Sequence, residues 1–82
     1  MSTRLRVSDI KPGMFSTEWY VRFAGVGGDY ELFVDKASVQ DQEHTMDVQL
    51  VYTNDEQAVV ELPRDTISGH GRVQVPMSAL AL

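Results

Sequence analysis

The fold is decided by residues 15–35, which read FSTEWYVRFAGVGGDYELFVD. Apolar and polar side chains alternate from Phe15 to Phe23 and again from Tyr30 to Asp35. A period of two with aromatic and β-branched residues is typical of β-strands. Three glycines lie between the two runs and supply the backbone freedom that a turn requires. The stretch therefore predicts a β-hairpin.

The register of this hairpin follows from the side chains that must face each other, because a slip of one residue would turn every core side chain to solvent. A favourable register pairs apolar residues with one another and an arginine with a glutamate. It also places Tyr20 opposite Phe33 on the outer face. The predicted pairs are Phe23 with Tyr30, Val21 with Leu32, Trp19 with Val34 and Arg22 with Glu31.

A second hairpin is predicted from Met46–Thr53 and Gln57–Leu62, which alternate in the same way. A three-residue loop, Asn54–Glu56, aligns the apolar side chains of the two runs, whereas a two-residue loop would mix the faces. This loop puts Glu56 in a left-handed position, where glycine is preferred. The predicted pairs are Tyr52 with Ala58, Leu50 with Val60 and Val48 with Leu62.

The rest of the chain predicts one more strand and little helix. Arg72–Val75 alternates and ends at a proline, and the tail Met77–Leu82 predicts a helical or 3-10 turn that packs Met77 and Leu80 against the core. The segment Val39–Thr45 predicts a mobile acidic connection.

Five short strands predict an all-β fold: a small antiparallel five-stranded sheet or a partly open barrel, with a short C-terminal helical turn.

Two segments resemble SH3-like barrels. Ile10–Met14 (IKPGM) is similar to the lead-in of such barrels of the translation-factor kind, and Gly71–Leu80 (GRVQVPMSAL) is similar to their closing strand, 3-10 turn and exit. The resemblance implies a partly open SH3-like barrel. Peptide-binding SH3 domains have a tryptophan at the start of the third strand, where this sequence has Met46. The resemblance therefore concerns architecture and not a ligand.

Composition predicts one folded domain, residues 1–82. The 82 residues are 43% hydrophobic and 23% charged without a break in composition, and cysteine is absent, which excludes disulfides and thiolate metal sites. No apolar run approaches the roughly 20 residues of a membrane span. Residues 1–9 lack the apolar stretch of a secretory signal. A cytoplasmic protein without membrane contact is the expectation.

The charge of the chain makes nucleic acid an unlikely partner. Twelve acidic and seven basic side chains give a formal net charge of −5, which repels a phosphate backbone. The alternative is an RNA-associated SH3-like or OB-like barrel in which Tyr20 and Phe33 stack on bases. It requires one shared basic face from the arginines Arg4, Arg6, Arg22 and Arg72.

The sequence predicts no catalytic residue, no metal site and no cofactor, and hence no enzyme. His44 and His70 lie in polar loops at a spacing that matches no ligand pattern. Ser68 and Ser78 have no convincing base. The glycine-rich Gly25–Gly28 precedes a strand and not a helix, so it predicts a hairpin tip and not a phosphate-binding loop.

Apolar side chains on the outer faces provide the candidate site. If the two hairpins share one sheet, these residues form one patch, and such patches usually mark interaction sites. The hypothesis is a non-catalytic protein-protein interaction module or a small self-associating β domain, whose partner is an unknown protein or a second copy. In the alternative, the sheet curls so tightly that both faces are partly buried, or Leu80 and Leu82 cover the patch. The candidate residues are Tyr20, Phe33, Val51 and Val59.

Overall fold

The computed structural model describes residues 3–81, and within them it contains β-strands and two 3-10 turns but no α-helix. The predicted all-β class is confirmed. No helical segment within residues 3–81 has the length and apolar character to cross a membrane. The strands are β1 (Thr3–Arg6), β2 (Asp9–Pro12), β3 (Glu18–Gly25), β4 (Gly28–Asp35), β5 (Val39–Gln40), β6 (Thr45–Thr53), β7 (Gln57–Glu61) and β8 (Arg72–Pro76).

The strands form two antiparallel sheets, one of five strands and one of three. The five-stranded sheet has the order β1-β6-β7-β8, with β5 also paired to β6, and the three-stranded sheet has the order β2-β3-β4. The five strands that the sequence predicts are all present. The short strands β1, β2 and β5 were not predicted, and β1 and β2 bring the N-terminal segment into both sheets.

The hairpin of β3 and β4 has the predicted register, with Phe23 opposite Tyr30 and Tyr20 opposite Phe33. Val21, Phe23, Leu32 and Val34 are fully buried. Trp19 packs against the core while partly exposed, and Lys36 Nζ lies 4.5 Å from the centre of its ring. Cross-strand complementarity was therefore sufficient to fix this register.

One hydrophobic core lies between the two sheets. Both sheets contribute, because fully buried Val21 and Phe23 come from β3 while Met46 and Val60 come from β6 and β7. Leu80 follows the 3-10 turn Met77–Ala79, is 3% exposed and bridges to Leu5 of β1. The predicted C-terminal turn is confirmed. Leu82 lies outside the described residues.

The second hairpin differs from the prediction at a β-bulge. The pairing of Leu50 with Val60 is as predicted, and residues 54–56 lie between the two strands, but the register shifts between Leu50 and Tyr52. Tyr52 therefore pairs with Val59, and Thr53 pairs with Ala58. Because Asn54 N donates to Gln57 O at 2.9 Å, the turn closes one residue later than predicted, and the predicted alignment of Tyr52 with Ala58 across a three-residue loop is wrong. The extra residue, Val51, breaks the alternation of faces. Leu50 and Tyr52, which alternation placed in the core, are 45% and 60% exposed.

An asparagine side chain closes the loop of this hairpin, in which the sequence predicted a strained backbone at Glu56. Asn54 Oδ1 accepts hydrogen bonds from the backbone N–H groups of Glu56 and Gln57, both at 2.9 Å. The predicted left-handed Glu56 is wrong, because within residues 3–81 the only residue other than glycine with a positive φ is His44, at 53°. An Asx turn closes the loop without that strain.

The predicted start of the first strand at Phe15 is also wrong. β3 begins at Glu18, because the chain must first turn back from β2, whose Pro12 pairs with Trp19. Glu18 N donates to Phe15 O at 3.0 Å within this turn, and Phe15 is 65% exposed. The alternation of apolar and polar residues extends into the turn, whereas the strand begins only after it.

The acidic connection between β4 and β6 contains more structure than the sequence predicted. A 3-10 turn, Lys36–Ser38, is followed by the short strand β5, whose Val39 pairs with Met46. The remaining residues, 41–44, form a turn.

Candidate functional site

The outer face of the three-stranded sheet carries an aromatic pair at its centre. Tyr20 on β3 and Phe33 on β4 lie directly opposite each other, with ring centres 5.8 Å apart and planes at 63°. This edge-to-face arrangement is favoured by the ring quadrupoles. Both rings are half-buried. The pair forms where the sequence predicted it, because neighbouring strands bring residues of the same face together.

Ion pairs lie on both sides of the Tyr20 and Phe33 rings, in the direction of the strands. On one side, Arg22 Nη2 lies 2.8 Å from Asp9 Oδ2. On the other side, Arg64 Nη1 lies 2.6 Å from Glu18 Oε2 and Arg64 Nη2 lies 3.5 Å from Asp35 Oδ1. The Glu18 side chain is only 7% exposed, so Arg64 supplies the counter-charge that a buried carboxylate requires. The aromatic pair therefore sits inside a charged rim.

The surroundings of the Tyr20 hydroxyl on this face change its pKa. Desolvation by neighbouring atoms, and then the nearby Glu31 carboxylate, raise the pKa of Tyr20 above its ordinary value of 10.0. Both causes disfavour the phenolate, because one removes water and the other adds like charge. Any tyrosine is a neutral phenol at physiological pH, and here the shift holds the proton of Tyr20 more tightly, so that it offers a hydroxyl beside an aromatic surface.

The edge of this face along β4 is acidic. The outward residues of β4 are Asp29, Glu31, Phe33 and Asp35, as their pairing with β3 shows. The loop between β7 and β8 closes the edge of the strand, because Ile67 N donates to Glu31 O at 2.8 Å. Ile67 is 63% exposed and adds apolar surface next to that edge. The edge of β4 at Glu31 is therefore occupied by the chain itself.

The four candidate residues do not form one patch. Their patch required both hairpins in one sheet, whereas Tyr20 and Phe33 lie in the three-stranded sheet and Val51 and Val59 lie in the five-stranded sheet. The two sheets enclose one core, so their outer faces point away from each other. The candidate site therefore divides into two surfaces, and a binding role for either remains a prediction.

The second surface includes residues that the sequence placed in the core. Val51 is 45% exposed at the bulge, between Leu50 and Tyr52, and Val59 is half-buried opposite Tyr52. Nothing in the alternation distinguishes Val51 as the extra residue. Met14, Phe15 and Ile67 are also exposed large apolar residues, and they lie in turns.

The arginines do not gather into a basic face. Arg4 and Arg6 lie on β1 and Arg72 on β8, at opposite ends of the strand order, while Arg22 lies in the other sheet. Each is bound within the protein: Arg4 to Glu43 at 2.9 Å, Arg22 to Asp9 at 2.8 Å, Arg72 to Glu61 at 2.8 Å and Arg6 to the carbonyl oxygen of Ser78 at 2.6 Å. These arginines therefore do not form the shared basic face that the RNA alternative requires.

The histidines and serines of the polar loops have structural contacts. Ser68 Oγ lies 3.0 Å from His70 Nδ1 and 3.0 Å from Thr66 Oγ1, and Thr66 Oγ1 accepts from His70 N at 2.9 Å. These bonds tie the β7–β8 loop to itself. His44 O accepts from Val7 N at 2.9 Å. Among residues 3–81, no three metal-ligating side chains come together.

Comparisons with family models, curated proteins and solved structures gave no match to this chain.

Proposed function

We propose that this domain is a non-catalytic protein-binding module whose contact surface is the outer face of the three-stranded sheet. The observation that carries the proposal is the edge-to-face pair of Tyr20 and Phe33 inside a rim of ion pairs. Protein interfaces have an aromatic centre and a polar rim, and aromatic residues at the centre supply most of the binding energy.

The packing of β3 supports this assignment. Beyond its sheet neighbours, β3 packs mainly against β8, and β8 contributes Val73 and Val75 to the common core. On the outer face of β3, Arg64 binds Glu18 at one end, and Tyr20 is left half-exposed for a partner. Ser68 and His70 contact each other within their own loop.

The test is a comparison of Tyr20→Ser/Phe33→Ser with the matched variant Val51→Ser/Tyr52→Ser. Each variant removes one tyrosine and one further apolar side chain from an outer face, but from different sheets. Proteins captured from an extract are identified for both variants and the parent protein, and self-association is measured by sedimentation. We expect the first variant to weaken association at least about tenfold, which equals about 1.4 kcal/mol, and the second to leave it unchanged.

Two results would overturn the proposal. Association that depends only on Val51 and Tyr52 would move the contact to the five-stranded sheet, and association unchanged in both variants would make both surfaces ordinary. The double serine variant loses about 1–2 kcal/mol of folding stability, so circular dichroism must show that it is folded. The single variants Tyr20→Ser and Phe33→Ser provide the same test if the double variant unfolds.

A further inference from the structure

The unpaired charges on the aromatic face are distributed unevenly across the sheet. On the β4 side, Asp29 and Glu31 form no ion pair with any residue from 3 to 81. On the β2 side, Lys11 lies opposite Tyr20 and likewise forms no ion pair within that range. The face therefore has two carboxylates without an ion pair on β4, Glu31 next to Phe33 and Asp29 towards the hairpin tip, and one ammonium group without an ion pair on the far side of Tyr20.

The rest of the described chain reinforces the negative field. Its arginines are all engaged with carboxylates or backbone carbonyl oxygens. The formal net charge is −5. A long-range attraction therefore exists only for a positively charged partner, and it raises the rate at which such a partner arrives.

We propose that the Tyr20–Phe33 face binds a cationic segment of another protein, with its basic side chains on the β4 side. This inference rests on the proposed function and names the chemistry of the partner. A guanidinium group stacks on the face of an aromatic ring and bonds to a carboxylate beside it, so Phe33 next to Glu31, which forms no ion pair, suits it. Exposed Ile67 extends the apolar contact.

A second copy of this chain suits the face less well. Two copies could stack face to face about a two-fold axis that runs in the plane of the sheet and perpendicular to its strands. Lys11 would then face Lys11 of the other copy, and Glu31 would lie near Asp35 of the other copy. An axis along the strands would place Arg22 against Arg22. Each arrangement opposes like charges, and each copy carries a net charge of −5.

The probe is a short blocked peptide of alternating arginine and serine, titrated into the isotope-labelled protein and followed by the NMR shifts of backbone amides. A peptide with citrulline in place of arginine has the same shape without the charge. We expect saturable shifts at residues 20 and 29–35 with the arginine peptide only. Raising the salt concentration should weaken this binding, because exposed charges are screened.

Matched variants separate a site from general attraction to an acidic protein. Asp29→Asn/Glu31→Gln should weaken binding roughly fivefold or more, whereas Asp55→Asn/Glu56→Gln, which removes the same charge at the β6–β7 turn, should change it less than about twofold. Lys11→Gln should tighten binding about twofold, because it removes a repulsive charge from the face. A gain of affinity cannot result from misfolding.

Equal losses in the two acidic variants would overturn the inference, since they would show unspecific attraction. It also fails if the citrulline peptide binds equally, if no peptide binds, or if sedimentation shows a dimer that Tyr20→Ser/Phe33→Ser dissociates. In these cases the proposed function stands as long as association in the earlier experiment still depends on Tyr20 and Phe33. The partner would then be neutral, acidic or a second copy.

Discussion

Tyr20 is the residue on which the proposed surface depends most. It lies on the central strand of its sheet, between Lys11 on β2 and Phe33 on β4. Its ring contacts Phe33 and its hydroxyl lies in the field of Glu31. A residue with an apolar ring and a polar tip can bury the first and still bond through the second, which is why tyrosine is common in binding surfaces.

The raised pKa of Tyr20 predicts a measurable titration. Since the folded protein holds the proton more tightly than the unfolded chain, the stabilising contribution is complete below pH 10.0 and is lost as the pH rises through the folded value. Ultraviolet absorbance should show one tyrosine ionising above its ordinary range, and Tyr20→Phe should remove that step. Glu31→Gln should lower the pKa of Tyr20 without making it ordinary, because desolvation is the larger cause. A curve unaffected by Glu31→Gln would contradict this account.

Phe15 and Phe23 show what alternation in the sequence can and cannot predict about single residues. Both fall on the predicted core face, but Phe23 is fully buried and Phe15 is 65% exposed. Alternation determines which residues share a face of a strand. It does not determine where the strand begins, which here depends on the pairing of β2 with β3. That pairing joins segments whose own patterns are too short to predict a strand.

At the scale of elements, the two hairpins differ in how far local rules determine them. Every pair predicted for β3 and β4 is present, because charge and size complementarity agree at each position. In β6 and β7 the same reasoning predicted the pairing of Leu50 with Val60. It failed from the bulge to the loop, where Thr53 and not Tyr52 lies opposite Ala58. An uncharged run such as Gln49–Thr53 accommodates either register without placing a charge in the core.

The loop of the second hairpin provides a test of its own. Asn54→Ala removes the acceptor of two backbone N–H groups and should lower the free energy of unfolding by about 1–2 kcal/mol. Asn54→Asp keeps a side-chain oxygen in the same place and should cost less than about 0.5 kcal/mol. Urea denaturation measures both. Equal losses for alanine and aspartate would show that the Asx turn does not stabilise the hairpin.

For the whole molecule, the candidate site was predictable in part. The facing pair of Tyr20 and Phe33 followed from one hairpin, whereas its separation from Val51 and Val59 depends on the distribution of strands over two sheets. That distribution requires pairings across long stretches of sequence, such as Thr3 with Val48. The charged rim could not be predicted from the sequence either, because Arg64, which pairs with Glu18, lies in a loop far from it in the sequence.

The distribution of charge over the molecule predicts weak or absent RNA binding. Phosphate contacts require arginines or lysines that are free and close together, but the arginines here are engaged within the protein and divided between its sheets. Fluorescence anisotropy with a single-stranded oligoribonucleotide should show no saturation below about 100 µM, even at about 50 mM salt, where phosphate contacts are strongest. The arginine and serine peptide serves as the positive control, because it carries the free charges that this surface lacks. Micromolar affinity that falls steeply with salt would favour the RNA alternative, and it would require the ion pairs of Arg4, Arg22 and Arg72 to open on binding.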